Sequence, residues 1–333
     1  MDGEFLDHQA AEGESVRQVQ TQVLADKSKS LINRVDSPDV PFNWSMNPYR
    51  GCEHGCIYCY ARPTHEFLGF SCGLDFETKI MAKHDAPSLL RSELAAAKWQ
   101  PDTIALSGNT DCYQPVERQF ELTRQCLQVL LECRNPVGII TKNRLVLRDL
   151  DLLTQLASMN LVHVVISVTT LDNGLASNME PRASAPAERL DTIRRLNEAG
   201  VPVSVLVAPV IPGLTDSEIP AILEAVADAG ARSAGYVLLR LPHQVKTLFL
   251  TWLDENYPTK RESVESKIRQ TRDGDLYDST FGDRKRGTGV FAENIRSMFR
   301  VFGQRHGLLQ PKLELDKDRF IRPSKDGQMW LFS

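Results

Sequence analysis

Five short apolar segments recur along the chain, and longer stretches with helical periodicity lie between them. The segments are rich in Val, Ile and Leu and lack polar alternation, which is typical of strands covered on both faces of a parallel sheet. Neighbouring parallel strands need crossover connections, and the intervening stretches predict helices for that role. The predicted strands cover residues 103–107, 137–141, 162–168, 201–210 and 234–241. The predicted helices cover residues 86–98, 116–133, 148–158, 186–199 and 216–229.

One further strand just before the first of three closely spaced cysteines brings the number of β/α units to six. Two α/β architectures fit this alternation, a partial (β/α)6 barrel and a flavodoxin-like doubly wound sheet. The pattern alone leaves both open, because helices cover a parallel sheet in each.

The three cysteines lie in the stretch GCEHGCIYCYA, separated by three and then two residues. Cys52, Cys56 and Cys59 can bind three irons of a cubane [4Fe–4S] cluster and leave the fourth iron without a protein ligand, because cluster irons prefer cysteine sulfur. A structural zinc site is the alternative, and it needs a fourth protein ligand. Zinc ligands usually come as two separated pairs, so the crowding of three thiols into eight residues favours the cluster. Nearby candidates for a fourth zinc ligand are His54, His65 and Cys72.

The CxxxCxxC motif followed by an aromatic residue resembles the signature of the radical S-adenosylmethionine (SAM) superfamily. More narrowly, the run NPYRGCEHGCIYCYARPTHEFLG resembles the spore photoproduct lyase-like branch, and the resemblance covers roughly residues 37–300. It implies that the amino and carboxylate groups of SAM chelate the open iron. It also implies that an electron from the cluster cleaves SAM to a 5′-deoxyadenosyl radical, which abstracts hydrogen from a substrate. An electron donor of the flavodoxin or ferredoxin type is then needed.

The resemblance favours the partial (β/α)6 TIM-type barrel over the doubly wound sheet. We therefore predict an α/β fold with three parts. An N-terminal tail or arm covers residues 1–36, the barrel covers 37–254, and a C-terminal α/β appendage packed on the barrel covers 255–333. The last predicted strand, MWLFS, would pair with RFIRP within that appendage.

Polar residues follow several predicted strands, where parallel β/α folds place their functional groups. In the resembling branch a Thr-Lys pair and a strand-end Ser contact the cofactor at matching positions. The resemblance thus implies that Lys142 pairs with the SAM carboxylate, and that Thr110, Asp111 and Ser167 bond the ribose or the amine. Arg182 is a candidate second cation. Each of these residues is open to a plainer reading as a solvated loop residue or a helix cap.

Two tyrosines and one further cysteine are candidates for roles beside the cluster. Tyr58 and Tyr60 keep the pattern of the lyase, where such tyrosines lie close to SAM or relay the radical; packing against the cluster loop is their alternative. The lyase has a hydrogen-donating cysteine where this chain has Gly108. Cys112, four residues on, is a substitute candidate, and a partly buried loop cysteine is the plainer interpretation.

Charge is distributed unevenly along the chain. Residues 255–333 hold 16 Lys and Arg against 12 Asp and Glu, although the net charge of the whole chain is −4. A basic segment beside an acidic barrel can bind a phosphate backbone. A helix packed on the barrel with a solvated cationic loop explains the same residues. The basic residues of this segment are most concentrated at Arg284, Lys285 and Arg286, which are consecutive.

We therefore predict a radical SAM enzyme of the lyase or oxidoreductase type, with nucleic acid as the hypothetical substrate. One alternative is modification of a peptide or small metabolite, which the sequence pI of about 6.0 leaves open. A second is a non-enzymatic iron–sulfur or zinc protein that senses redox state or binds nucleic acid. No apolar run is long enough to span a bilayer, the N-terminus lacks the pattern of a signal peptide, and the seven cysteines suit a reducing compartment. These features predict a cytoplasmic protein without a membrane partner.

Overall fold

Six parallel strands lie side by side in chain order in the computed structural model, which describes residues 20–324. Their order never reverses, whereas a doubly wound sheet changes direction at a switch point, so the barrel-type alternative is confirmed. A seventh, antiparallel strand lies at one edge, and the two edge strands of this sheet do not pair within residues 20–324. The architecture is therefore an open partial barrel.

The large sheet and a small three-stranded sheet contain all strands of the described residues. The small sheet has the order β1-β5-β4, and the large sheet has the order β10-β9-β8-β7-β6-β3-β2. The strands are β1 (Gln22–Ala25), β2 (Ile32–Arg34), β3 (Trp44–Met46), β4 (Tyr49–Arg50), β5 (Lys79–Ala82), β6 (Ile104–Leu106), β7 (Val137–Thr141), β8 (Val162–Ser167), β9 (Val203–Val210) and β10 (Ala234–Leu238).

Helices cover the outer face of the large sheet, and short 3-10 turns at Arg62–Leu68, Arg144–Asp149, Asp216–Glu218 and Pro258–Lys260 join several elements. The α-helices of the described residues are α1 (Asp75–Thr78), α2 (Ala86–Ala95), α3 (Glu117–Phe120), α4 (Leu122–Glu132), α5 (Leu150–Ser158), α6 (Asn173–Met179), α7 (Pro186–Glu198), α8 (Ile219–Asp228), α9 (Val245–Asn256), α10 (Arg261–Gln270), α11 (Asp283–Arg286) and α12 (Gly289–Arg305).

The predicted strands and helices are present in the structure, with ends that differ by a few residues and with one helix divided in two. The helix predicted over 116–133 is two helices, because Glu121 adopts a left-handed backbone with φ +50° between α3 and α4. The predicted N-terminal arm contributes β1 and β2 to the two sheets, and its residues 1–19 lie outside the described residues. Residues 319–323 form no strand, and the MWLFS segment predicted to pair with them lies outside the described residues.

The two faces of the large sheet differ in burial. In β8, Val162, Val164 and Ile166 are almost fully buried in the main hydrophobic core, which the helices cover. The alternating residues His163 and Val165 face the other way and are only half-buried. The concave face of the sheet is therefore less tightly covered than the face under the helices. No helix within residues 20–324 has the length and apolar composition needed to cross a membrane.

Candidate active site

The cysteine loop follows β4, and buried polar side chains hold its backbone. Cys52 donates its backbone N–H to Phe76 O at 2.9 Å. Arg62, 1% exposed, donates through Nε to Cys56 O at 3.0 Å and through Nη2 to Gly55 O at 3.1 Å. Such contacts pin the carbonyl groups of a loop that has no regular secondary structure.

A second arginine holds the same loop from the opposite side. Arg182 donates to Glu53 O, and its Nη2 lies 2.8 Å from Glu77 Oε2. The other oxygen of Glu77 lies 3.2 Å from Arg62 Nη2. The three side chains form a buried Arg–Glu–Arg triad, and removal of one member would leave a buried charge unpaired. Arg182, predicted as a cation for the cofactor, is thus engaged in holding the cysteine loop.

Gly55 is required where the triad meets the loop. Its φ is +67°, in the left-handed region, and a Cβ at this position would collide with the carboxylate of Glu77 and lie 2.9 Å from Arg182 Nη2. A larger residue would therefore push the loop away from the two side chains that position it.

The three thiols of this loop face the same interior region. Cys52 and Cys56 are 7% and 8% exposed, and none of the three cysteines is in a disulfide. Burial raises the pKa of each thiol, and the charges of Cys56 and Cys59 add to this effect at Cys52. Two buried cysteines and a half-buried one, which would repel one another as thiolates, fit a cationic iron centre, because such a centre holds cysteines deprotonated.

The geometry does not fit a single closed metal ion. Within residues 20–324, no group of three His, Cys, Asp or Glu side chains is close enough to bind one ion. Zinc needs four ligands around one centre, whereas the cysteines of a cubane bind separate irons and lie farther apart. The two histidines considered as zinc ligands are also engaged. His54 Nδ1 lies 3.4 Å from Asp111 Oδ2, and His65 Nε2 lies 3.0 Å from Lys79 O.

Lys142 lies at the centre of a polar pocket at the C-terminal ends of β7, β8 and β9. Its Nζ donates to Ser167 Oγ at 2.8 Å, to Thr169 Oγ1 at 3.2 Å and to Ala208 O at 3.0 Å. Burial, with the charge of Arg189 adding to it, lowers the pKa of Lys142 to about 8. The sequence-predicted pair Lys142 and Ser167 is thus brought into direct contact.

A carboxylate that the sequence analysis missed completes this pocket. Glu180, 2% exposed, has Oε1 at 3.1 Å from Lys142 Nζ and Oε2 bonded to Arg189. It also accepts hydrogen bonds from Thr169 at 2.8 Å and from the hydroxyl of Tyr58. Burial raises the pKa of Glu180, and Arg189 opposes that shift. Its position after the short helix α6 gives no sequence signal of this role, because each of its partners is distant or lies on another element.

The polar pocket lies beside the cysteine loop. Burial and the charge of Glu180 raise the pKa of Cys56, and the charge of Lys142 lowers it, so both groups act on this sulfur. The ring centroid of Tyr58 lies 5.8 Å from Lys142 Nζ. The arrangement therefore places an ion pair and several hydroxyl groups next to the predicted cluster ligands.

Asp111 and Thr110, both predicted to bond the cofactor, are engaged with the protein. Asp111 accepts hydrogen bonds from Thr141 Oγ1 at 2.7 Å and from the backbone N–H of Lys142 at 2.8 Å. Thr110 Oγ1 donates to Tyr49 O at 3.3 Å. Asp111 thereby fixes the end of β7, from which Lys142 reaches into the pocket. Cofactor contacts by the two residues stay a prediction.

Tyr60 is the exposed aromatic residue of the site. It is 42% exposed, its hydroxyl donates to Gly108 O, and the guanidinium of Arg240 lies 4.7 Å from its ring centroid. Tyr58 is buried at the inner side of the same loop. The two tyrosines therefore differ in environment, with only Tyr60 presenting a face that a substrate can reach.

Cys112, the candidate hydrogen donor, is fully buried in the main hydrophobic core. Burial raises the pKa of its thiol, and a hydrogen bond with Ser107 opposes that shift. Ser107 and Gly108 have φ values of +99° and +123°, so the turn after β6 is in a conformation that side chains rarely adopt. A role for Cys112 in hydrogen transfer stays a prediction.

Comparison with known proteins shows which family this chain is similar to. The model of the Radical SAM superfamily matches residues 46–226. An uncharacterized protein of Mycobacterium tuberculosis strain H37Rv is 37% identical over 233 residues, which cover 69% of this chain and 68% of the relative. An uncharacterized protein of Methanocaldococcus jannaschii is 27% identical over 246 residues, which cover 74% and 88% of the two chains.

The fold has a close counterpart among solved structures. Spore photoproduct lyase complexed with dinucleoside spore photoproduct superimposes with a TM-score of 0.62 at 14% identity, over 85% of this chain and 78% of the lyase. At this identity the likeness concerns the fold alone.

Proposed function

This chain belongs to the radical SAM superfamily, and we propose that it abstracts a hydrogen atom from a nucleic acid. Enzymes of this family use a [4Fe–4S] cluster and SAM. We assign the cluster to Cys52, Cys56 and Cys59, whose sulfurs share one buried loop. When bound and reduced there, the cluster would supply the electron for reductive cleavage of SAM.

The polar pocket around Lys142 suits the amino acid part of SAM. The carboxylate of SAM needs a cation, and Lys142 can supply it, since its Nζ lies 5.8 Å from the ring centroid of Tyr58 in the cysteine loop. The amine of SAM needs an acceptor, which Glu180 provides. In the structure Lys142 and Glu180 satisfy each other, so SAM would exchange one set of charged hydrogen bonds for another. Ser167 and Thr169 remain as hydroxyl partners of Lys142.

One observation carries the choice of nucleic acid as the substrate: a guanidinium stacks on the exposed ring of Tyr60 beside the cysteine loop, and more cations lie near it. Arg240 lies 4.7 Å from the ring centroid of Tyr60. Arg272 Nη2 joins Leu239 O, just before Arg240, to Arg284 O, with both hydrogen bonds at 3.0 Å. An aromatic face among cations is the arrangement by which proteins stack a base and hold its phosphates. The basic run at 284–286, separate in sequence, therefore borders the site.

The test is hydrogen transfer between SAM and an oligonucleotide. We expect the anaerobically reconstituted and reduced protein to form 5′-deoxyadenosine, and to incorporate deuterium into it from deuterated DNA or RNA. The arms are duplex, ultraviolet-irradiated duplex and single-stranded oligonucleotides, and Cys56→Ala is the inactive control. Formation of 5′-deoxyadenosine without deuterium from any of them would reject nucleic acid and favour a peptide or small-metabolite substrate.

The same assay examines the predicted hydrogen donor. If Cys112 returns hydrogen to the substrate radical, Cys112→Ala forms 5′-deoxyadenosine at the wild-type rate but loses the repaired or modified product. Equal product from both proteins would assign the return step to another group.

We also propose that the protein works in a reducing compartment, the cytoplasm, with a flavodoxin or ferredoxin as its electron donor. All seven cysteines lie within the described residues and none forms a disulfide. Thiols in this state fit a reducing environment.

A further inference from the structure

The open side of the barrel is crossed by a contact between two distant segments. The loop between β2 and β3 contributes Asp39, and the segment around α11, after β10, contributes Gly282, Arg284 and Lys285. Gly282 donates its backbone N–H to Asp39 Oδ1 at 2.6 Å, and Arg284 Nε bonds Oδ2 of the same carboxylate. Lys285 Nζ donates to Asp39 O at 2.9 Å. We call Gly282, Arg284 and Lys285 the anion site.

The carboxylate of Asp39 is well held in this site. Its side chain is only 4% exposed, and that of Arg284 is 17% exposed. Burial raises the pKa of Asp39. Hydrogen bonds from Arg284 and Gly282 and the charges of Arg284 and Lys285 lower this pKa by more, so the net shift is downward. The site therefore stabilises a negative charge, as a phosphate group would require.

Further cations lie near the anion site. Arg286 follows Lys285 in α11, and Arg272 Nη2 donates at 3.0 Å both to Arg284 O and to Leu239 O, which is next to Arg240 in the chain. Arg240 and Arg286 form no ion pair within residues 20–324; they stack on Tyr60 at 4.7 Å and on Tyr236 at 4.6 Å. A group with more negative charge than a carboxylate would be favoured here.

The anion site also lies beside the reactive end of the barrel. The two hydrogen bonds of Arg272 tie Arg284 to the residues just after β10, where Arg240 stacks on the ring of Tyr60 at 4.7 Å. Tyr60 directly follows the predicted cluster ligand Cys59. A phosphate held by Arg284 would thus lie next to the exposed ring on which a base could stack.

We propose that the anion site binds a backbone phosphate of the substrate and that Asp39 occupies it until the substrate arrives. This inference rests on the proposed function for the identity of the phosphate's carrier. Binding then exchanges the carboxylate for a phosphate on the same donors. The exchange also frees the β2–β3 loop from the segment around α11, which widens the open side of the barrel for a polymer.

The test is equilibrium binding to the reconstituted holoenzyme, with fluorescein-labelled oligothymidylate as one probe and inorganic pyrophosphate as the other. Asp39→Asn should bind both probes about tenfold more tightly than the wild type, because the competing charge is gone. Asp36→Asn is the matched control, since Asp36 is an exposed carboxylate of the same loop that pairs only with exposed Arg34. It should change affinity by less than about twofold. Arg284→Gln should weaken binding of both probes about tenfold.

The two probes separate this inference from the proposed function. Tighter pyrophosphate binding by Asp39→Asn, with no oligonucleotide binding by any variant, would keep the anion site and reject nucleic acid. Equal oligonucleotide affinity in Asp39→Asn and Asp36→Asn would overturn the inference while nucleic acid stands. No binding of either probe to any variant would overturn both. Thermal melts of each variant identify a loss that comes from unfolding.

Discussion

Lys142 Nζ lies 3.1 Å from Oε1 of Glu180, a carboxylate whose side chain is fully buried. The other oxygen of Glu180 bonds Arg189, so two cations share one buried negative charge at the ends of the strands. Glu180 is therefore a structural requirement of the pocket, and Lys142 is a partner that can be released. The two residues should therefore respond differently to substitution.

Glu180→Gln should reduce the free energy of unfolding by about 3–5 kcal/mol, because Lys142 and Arg189 would remain buried without a counter-charge. Urea denaturation of the apo protein measures this loss. A loss below about 1 kcal/mol would show that water hydrates Lys142 and Arg189 well enough for them to do without a counter-charge.

Lys142→Met should affect stability less than Glu180→Gln, since Glu180 keeps Arg189 as a partner, and it should weaken SAM binding. We expect a loss of only about 1–2 kcal/mol in stability and at least about tenfold weaker SAM binding by the holoenzyme. Lys79→Met, which removes a partly exposed lysine paired with Asp75, is the control and should leave SAM affinity unchanged. Equilibrium dialysis with labelled SAM distinguishes the two lysines, and equal affinities would reject the assigned role of Lys142.

Gly55→Ala should prevent the cysteine loop from forming, whereas Gly69→Ala should not. Both glycines have a positive φ, +67° and +78°, but a Cβ at Gly69 meets nothing within 4 Å. The cost at Gly69 is then only the left-handed backbone, about 1–2 kcal/mol. Iron content after anaerobic reconstitution is the measurement. We expect iron to be lost in Gly55→Ala alone, and equal iron in both variants would mean that the Arg–Glu–Arg triad does not position the cluster ligands.

Tyr60→Ala should weaken binding of a single-stranded oligonucleotide by about 1–3 kcal/mol, the usual contribution of one stacked base. Tyr60→Phe keeps the ring over Arg240 and loses only the hydrogen bond to Gly108, so its affinity should stay within about twofold of the wild type. Phe67→Ala removes an aromatic residue that is 90% exposed and serves as a control for non-specific contacts. Fluorescence anisotropy titrations at constant salt compare the four proteins, and an unchanged affinity in Tyr60→Ala would exclude stacking.

His163 should contribute to loss of stability in mild acid. Its Nε2 lies 2.8 Å from Ser204 Oγ inside the barrel, and burial with the charges of Arg232 and Lys312 lowers its pKa to about 4. An unfolded chain protonates this histidine near its ordinary pKa of about 6.5, so the unfolded state binds more protons between the two values and stability falls as the pH drops from 6.5 towards 4.

His163→Gln removes this titration. The variant should lose about 1 kcal/mol less than the wild type between about pH 7 and pH 5, a figure discounted for partial exposure. Denaturant titrations at the two pH values measure the difference. Equal losses of unfolding free energy in the variant and the wild type would show that His163 does not cause the acid destabilisation.

Local sequence was sufficient for the elements and for the cysteine motif. The strand predicted over 137–141 is β7 with the same ends, because its residues are apolar on both faces up to Thr141, although Gly138 and Ile140 on one face are only half-buried. Cys52, Cys56 and Cys59 share one loop, so their spacing alone groups them. The helix predicted over 116–133 was wrong in its continuity, because an apolar stripe does not report the left-handed turn at Glu121.

Only the tertiary structure decided which side chains meet. Glu180 lies 38 residues from Lys142 and 122 from Tyr58 in the chain, and Asp39 lies 245 residues from Arg284. A pair at such a separation leaves no periodicity or spacing in the sequence, because the local pattern around each residue reports only the helix, strand or loop that contains it. The strand order brings them together, and burial then makes every unpaired charge costly enough to require its partner.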